Sequence, residues 1–327
     1  MPTVLVTDYT FPDLDIERAA LEASGYALEA HQCRTEDDLL AVVAAADAVL
    51  TQFVPVTARV IAAMARAKVI VRYGIGVDSV DLAAAKAHGI PVCNVPTFCI
   101  DEVADHTLAF ILASTRQVVT HSNHVHAGNW GLAVPLAAFR TLRTLTVGIV
   151  GFGRIGREVA SRLKGFGCKI LVSDPVVAAA DIVAAGAIPT TLDALLATSD
   201  VVTLHCPSVA ATRKMIDATS LVGMKPGAIL VNLARGDLVD TPALVEALRT
   251  GHLSAAALDV CDPEPIPAGH PLLAMPNVIL APHIASASVA AVRTLRESAT
   301  RQVIAALRGD PLENVVNGVG PRSFANA

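Results

Sequence analysis

Apolar β-branched runs alternate along most of the chain with stretches in which apolar residues recur every three to four positions. This is the pattern of parallel strands joined by helices. In the first hundred residues it predicts strands over 3–9, 26–30, 48–52, 69–72 and 91–94, with helices over 16–24, 36–46, 57–66 and 80–88. A long helical stretch over 101–116 follows, then a polar segment carrying His121, His124, His126, Gly128 and Trp130. A second series of six strands is predicted over 146–150, 169–174, 201–205, 228–233, 255–260 and 278–283. Helices are expected between them over 154–166, 192–197, 211–222 (broken) and 242–250, and the last helix over 289–307. The chain has no tandem repeat and no low-complexity linker.

The 327 residues, 53% hydrophobic and 17% charged, suffice for two sizeable α/β cores. Against 30 Asp+Glu stand 25 Lys+Arg without a basic cluster, and aromatics are only 4%, so a nucleic-acid surface is not expected. No membrane span is expected either, because the most apolar stretch, over 39–50, is short and interrupted by Asp47. The N-terminus lacks the pattern of a secretory signal, and the mature chain is expected to start there. Six cysteines without a Cys-x-x-Cys pair fit a reducing, cytoplasmic setting.

Gly151-Phe-Gly153-Arg-Ile-Gly156 follows a predicted strand and opens a predicted helix, the context in which this spacing signals a dinucleotide. Gly151 permits the tight turn, Gly153 lets backbone approach a pyrophosphate, and Gly156 lets helix pack on strand. Asp174 ends the next strand, where its carboxylate suits an adenosine ribose and repels a 2′-phosphate, so NAD is expected over NADP.

Ligands of open parallel sheets bind beyond the carboxyl ends of the strands. Those ends carry Gly151, Asp174, His205-Cys206-Pro207, Arg235, Asp259 with Glu264 beyond it, and His283. Arg235 offers a planar fork suited to a carboxylate and a neighbouring carbonyl. His283 can exchange a proton near neutral pH, and a Glu264 carboxylate on its far nitrogen would orient the ring and stabilise imidazolium. Singly, each has a plain alternative: a salt bridge for Arg235, a capped structural ring for His283, a solvated loop acid for Glu264. The spacing of His121, His124 and His126 does not align them on one helix face, so no metal is expected. Cys99 and Cys206 lack an activating context and read as packing residues.

Together these motifs resemble the D-isomer-specific 2-hydroxyacid dehydrogenases. The likeness covers nearly the whole chain and includes the segments 72–81, Asn94-Val-Pro, Asp101 to His106, His205-Cys-Pro207, Asn232 to Asp237, Leu258 to Pro265 and Pro282-His283. Within the family, 73–78 and 94–106 look most like the bacterial C-terminal-binding-protein-like branch.

The resemblance implies two Rossmann-like or flavodoxin-like domains with the active site in the cleft between them. Residues 1–98 and 290–327 would form the substrate domain, and 99–289 the NAD-binding domain with a dimerisation arm over about 100–140. It further implies that Arg235 anchors the substrate carboxylate and that His283 is the general acid/base, with Glu264 as partner. Tyr73, Gly74, Ile75 and Gly76 would meet the same carboxylate, and Asp259 the nicotinamide carboxamide. Arg154, Ile155, His205, Cys206, Pro207, Thr212, Ala234 and Thr107 complete the implied cofactor set. The implied reaction is hydride transfer between NAD(H) and a small 2-hydroxy or 2-keto acid, by a homodimer.

Departures from the family narrow the substrate. Ile-Ala-Ser-Ala-Ser follows His283 where the animal C-terminal-binding proteins carry a Trp. Thr51-Gln-Phe-Val replaces the arginine-bearing segment with which phosphoglycerate dehydrogenases hold phosphate, and no regulatory domain is expected after Ala327. A phosphorylated substrate is therefore disfavoured. Phe53, Tyr73, Phe98 and Trp130 are candidates for lining an apolar pocket. Two other functions use the same residues: oxidation of phosphite or another small oxyanion, and an NAD(H)-sensing, corepressor-like scaffold.

Overall fold

Strand segments such as Ala48–Thr51, Val201–Leu204 and Ala228–Asn232 are buried at every position. Unbroken apolar runs of this kind belong to parallel strands covered on both faces. In the computed structural model, which describes residues 1–321, they organise two units, Met1–Phe98 with the chain from Ser288 onward, and Cys99–Ala287.

The first unit holds β1 (Thr3–Val6), β2 (Ala27–Ala30), β3 (Ala48–Thr51), β4 (Ile70–Arg72) and β5 (Val92–Cys93). They form one parallel sheet in the order β2-β1-β3-β4-β5. The helix Val289–Arg308 covers one face, setting Leu295, Ala299, Val303 and Ala306 against Val4, Val6, Leu50 and Val71. Its start is fixed by Ser288, whose hydroxyl accepts the Ala291 N–H, and it stops at Gly309 with φ of 81°. The other face packs on Leu39, Val43, Val60 and Ile61.

The second unit carries β6 (Thr146–Val150), β7 (Lys169–Ser173), β8 (Ile188–Pro189), β9 (Val201–Leu204), β10 (Ala228–Asn232), β11 (Leu253–Leu258) and β12 (Val278–Leu280). All pair in parallel, in the order β12-β11-β10-β9-β6-β7-β8. The sequence pattern predicts six of these seven. β8 escapes it because two residues, one a proline, make no apolar run. The helix expected over 211–222 is confined to Ala218–Gly223, starting where the Asp217 carboxylate accepts the Ser220 N–H at 2.8 Å. Chain order reverses between β6 and β9, so their carboxyl ends open a crevice at which open α/β sheets bind ligands.

The helix Ile100–Thr115 runs beside the helix Arg154–Lys164, tied to it by Arg162 bonding Asp101 at 2.7 Å and Asp105 at 2.8 Å. The next helix, Val118–His126, buries none of its residues. Among the described residues no helix is long and apolar enough to cross a membrane.

Candidate active site

At the reversal point the chain turns sharply after β6. Gly151 adopts φ of 91°, and a Cβ there would lie 2.6 Å from the Cys206 nitrogen that follows β9. A Cβ on Gly156 would lie 2.2 Å from the Gly151 carbonyl oxygen, so this glycine lets the helix start against the turn itself. Gly153, by contrast, has open space where its Cβ would project. Open room before a helix N-terminus, whose first N–H groups come from Arg154 and Ile155, suits an anionic group.

Beside the turn, Asp174 accepts the Phe152 N–H at 2.6 Å and the Val176 and Val177 N–H groups at 2.8 and 3.1 Å. Burial pushes its carboxyl up, but these bonds and the Arg157 charge outweigh it and hold the group below the ordinary carboxylate range. A charged acceptor thus stands at the end of β7, and the cradle fits a dinucleotide. Across the crevice the His205 ring meets Thr203 Oγ1 at 2.9 Å, and burial pushes its pKa down to about 4. It stays neutral at pH 7. Burial raises Cys206 to about 11, so its thiol does not act as a nucleophile. Pro207 is exposed, its carbonyl accepting the Thr212 hydroxyl at 2.6 Å.

On the β10-β11-β12 side the loops carry different chemistry. Asn232, 1% exposed, donates to the Arg235 carbonyl at 2.8 Å and accepts the Ala234 N–H at 3.0 Å, fixing the loop that presents Arg235. Arg235 Nη1 donates to the Ala234 carbonyl at 2.7 Å. A Cβ on the next residue, Gly236, would sit 1.9 Å from the Cys261 carbonyl, so the Arg235 loop lies directly on the segment leading to Glu264. Glu264 accepts the Cys261 N–H at 3.3 Å and the His283 Nδ1–H at 2.6 Å. Burial pushes its carboxyl up, yet the bond and charge of His283, the Cys261 N–H and the Arg235 charge hold it below its ordinary value.

His283 has φ of 55°, an uncommon conformation for a side-chain-bearing residue. Asp259 holds it there. Its carbonyl accepts the His283 N–H at 2.8 Å, and its carboxylate oxygens accept the Ile284 and Ala285 N–H groups at 2.8 and 2.9 Å. Asp259 is 1% exposed, and both its oxygens are engaged in shaping the histidine turn, each with one N–H.

Other expected residues also lie differently. Thr107 is fully buried, its hydroxyl donating to the Val103 carbonyl at 2.7 Å inside its own helix. Tyr73 is 1% exposed, so it lines no pocket and can meet a substrate only through backbone. Phe98 is partly buried against the first unit's core, whereas Phe53 is 47% and Trp130 92% exposed. His121 bonds the Gln117 carbonyl at 3.0 Å through Nδ1 and the Ala133 N–H at 3.2 Å through Nε2. Cys99 is buried as a packing residue should be.

In the first unit, the loop after β4 is held by its carbonyls. The Gly74 oxygen accepts the Val95 N–H at 2.9 Å and the Ile75 oxygen accepts Asn94 Nδ2 at 2.6 Å. In a trans peptide the N–H points opposite to its carbonyl. The Ile75 and Gly76 N–H groups therefore face away from Asn94 and Val95, as an anion-binding loop requires. Asn94, like Asn232, carries a positioning role that a motif match alone does not reveal. The available signal is a lone amide ending an apolar strand.

Comparison with known proteins agrees with this geometry. Residues 108–285 match the family model described as D-isomer specific 2-hydroxyacid dehydrogenase, NAD binding domain. A glyoxylate reductase of Thermofilum pendens is 40% identical over 273 residues, covering 80% of this chain and 78% of the relative. A D-3-phosphoglycerate dehydrogenase of Mycobacterium leprae is 36% identical over 97% of this chain, which spans 59% of that protein's length. Among solved structures, the D-lactate dehydrogenase of Aquifex aeolicus, complexed with NAD and lactic acid, superposes with a TM-score of 0.86 at 31% identity, covering 94% of this chain and 96% of that one. The glycine turn at the sheet's reversal point and the histidine–glutamate pair beyond β11 and β12 thus stand in a familiar frame, and the chain belongs to the D-isomer specific 2-hydroxyacid dehydrogenase family.

Proposed function

We propose that this chain is an NAD-dependent D-2-hydroxyacid dehydrogenase that reduces a small, non-phosphorylated 2-keto acid. The observation carrying this reading is the 2.6 Å bond between His283 Nδ1 and Glu264, within the field of Arg235 and on the same sheet edge as the dinucleotide turn. The nicotinamide, when bound, supplies or takes up the hydride. Arg235 binds the substrate carboxylate and polarises the adjacent carbonyl. His283 donates its proton to the carbonyl oxygen during reduction and withdraws it from the hydroxyl during oxidation. Glu264 keeps the ring oriented and balances its charge in the protonated state. Gly74, Ile75 and Gly76 of the first unit are read as a backbone site for a carboxylate.

Gln52 supports a non-phosphorylated acid, since its Oε1 is turned to the Thr10 N–H at 2.7 Å and no arginine occupies the segment 51–54. A phosphorylated acid is the second reading, favoured by likeness to the phosphoglycerate dehydrogenase and by Arg72, whose guanidinium lies 5.8 Å from the Phe53 ring centroid. Placement in the C-terminal-binding-protein-like branch rests on the segments 73–78 and 94–106 alone. A homodimer through about 100–140 is supported by exposed Val125, Trp130, Leu132 and Leu136; sedimentation equilibrium tests it, a monomer at micromolar concentration being the contrary result.

The decisive test follows NADH oxidation with glyoxylate, pyruvate, hydroxypyruvate and 3-phosphohydroxypyruvate, and NAD reduction with phosphite. Turnover of an unphosphorylated keto acid supports the proposal. Turnover confined to the phosphorylated acid or to phosphite replaces the substrate class, and tight NADH binding without turnover favours the scaffold reading.

A further inference from the structure

Beneath the loop that follows β4 lies a charged group that the proposed chemistry does not use. Glu17 is fully buried in the first unit, and Arg296 of the helix Val289–Arg308 is 5% exposed. Arg296 Nε and Nη2 donate to the Glu17 carboxylate at 3.0 and 2.7 Å, and Nη2 also reaches the Asp13 carbonyl and carboxylate at 2.9 and 3.0 Å. The Phe11 ring centroid lies 5.0 Å from the guanidinium. Into this cluster Tyr73 inserts its hydroxyl, donating to Glu17 Oε1 at 3.1 Å, while its ring meets Phe11 edge-on at 5.2 Å.

We propose that Glu17, clamped by Arg296, is a positioning residue for the Gly74–Gly76 backbone and acts through the Tyr73 hydroxyl. A buried ion pair rarely stabilises a fold more than well-packed apolar side chains do, so its stabilising energy alone gives little account of it. Here the pair presents one fixed acceptor to the residue immediately before the loop. Two anchors then flank the loop: Tyr73 on Glu17 below, and the Gly74 and Ile75 carbonyls on Val95 and Asn94 beside. The second anchor also leads to the C-terminal helix, because Gln302 Nε2 donates to the Asn94 carbonyl at 2.9 Å. With both ends held, the Ile75 and Gly76 N–H groups are set before any anion arrives, which lowers the ordering cost of binding. Burial and the Glu17 charge push the Tyr73 phenol well above its ordinary range, so it remains a donor throughout neutral pH.

This inference rests on the reading of Gly74–Gly76 as a carboxylate site, and the test separates the two. Tyr73→Phe retains the ring beside Phe11 and removes only the hydroxyl. Hydrogen exchange over residues 73–79 of the full chain is expected to quicken about tenfold, with the remainder of the chain unchanged. In the presence of NADH, the KM for the best keto acid and the Kd for oxalate are expected to rise about tenfold, with kcat within about twofold and NADH affinity retained. Glu17→Gln leaves the buried Arg296 without its counter-charge and lowers global stability, but it keeps an acceptor oxygen and, under conditions where it is folded, is expected to preserve loop exchange and KM. Unchanged exchange in Tyr73→Phe overturns the proposal whatever the kinetics show. Faster exchange with unchanged KM and oxalate affinity also overturns it as a substrate-positioning device. A loop as loose in Glu17→Gln as in Tyr73→Phe overturns the assignment to the hydroxyl bond. Should the wild type turn over no keto acid, the proposed function fails, and hydrogen exchange with oxalate binding still decides this inference.

Discussion

Each unit contains a carboxylate bonded to a basic side chain at nearly the same distance, and the two pairs are built for opposite ends. Arg296 and Glu17 meet at 2.7 Å with side chains 6% and 0% exposed. His283 and Glu264 meet at 2.6 Å with side chains 30% and 38% exposed. The first cation is a guanidinium that never gives up its proton, sealed from water, so the pair can only hold geometry. The second is an imidazole open to solvent on a strained turn, so the pair can pass a proton. Distance alone does not distinguish a brace from a catalyst; exposure and the chemistry of the cation do.

Exchange of single residues between these roles gives graded tests. The largest effect is expected at His283: His283→Ala should lower kcat about 10²- to 10⁴-fold while NADH titration by fluorescence stays unchanged. Normal turnover in that variant removes His283 from the mechanism. Arg296→Ala leaves Glu17 buried without its main partner and should cost about 3–5 kcal/mol in urea unfolding. Glu264→Ala, at a partly exposed pair, should cost about 0–1 kcal/mol and show its loss in turnover instead.

A finer contrast lies in pH. The folded Glu264 carboxyl titrates below its ordinary range, so its stabilisation is complete above that range and is lost as pH falls through the lowered value. The stability gap between wild type and Glu264→Gln should shrink as the pH falls below about 5. A gap that grows on acidification reverses the sign of the coupling. A change in cofactor preference is expected at Asp174, where Asn keeps the turn's size and loses the charge. NADH should bind about tenfold more weakly relative to NADPH, as competitive titration would show.

Much of the second unit's site was legible because its parts sit where chemistry and strand pattern coincide. Gly151, Asp174, Arg235 and His283 each follow an apolar run directly or within a few residues. What escaped was the direction of side chains. Thr107 lies in a helix whose sequence does not tell that its hydroxyl turns back onto Val103. Asp259 occupies the expected strand end, but its bonds to the Ile284 and Ala285 amides depend on a turn made 24 residues later. β8 was missed because pairing with β7, rather than its own two residues, makes it a strand.

Sequence alone determined the alternation of strands and helices, the dinucleotide turn and the kinds of side chain available at the strand ends, because these follow from local periodicity and the conformational freedom of glycine. Tertiary structure alone decided which polar atoms are already satisfied. Tyr73 became a buried strut, Asp259 the holder of a histidine turn, and Glu17 the partner of a residue 279 positions away. Each of these bonds joins segments far apart in sequence, so only the folded chain reveals which polar groups meet.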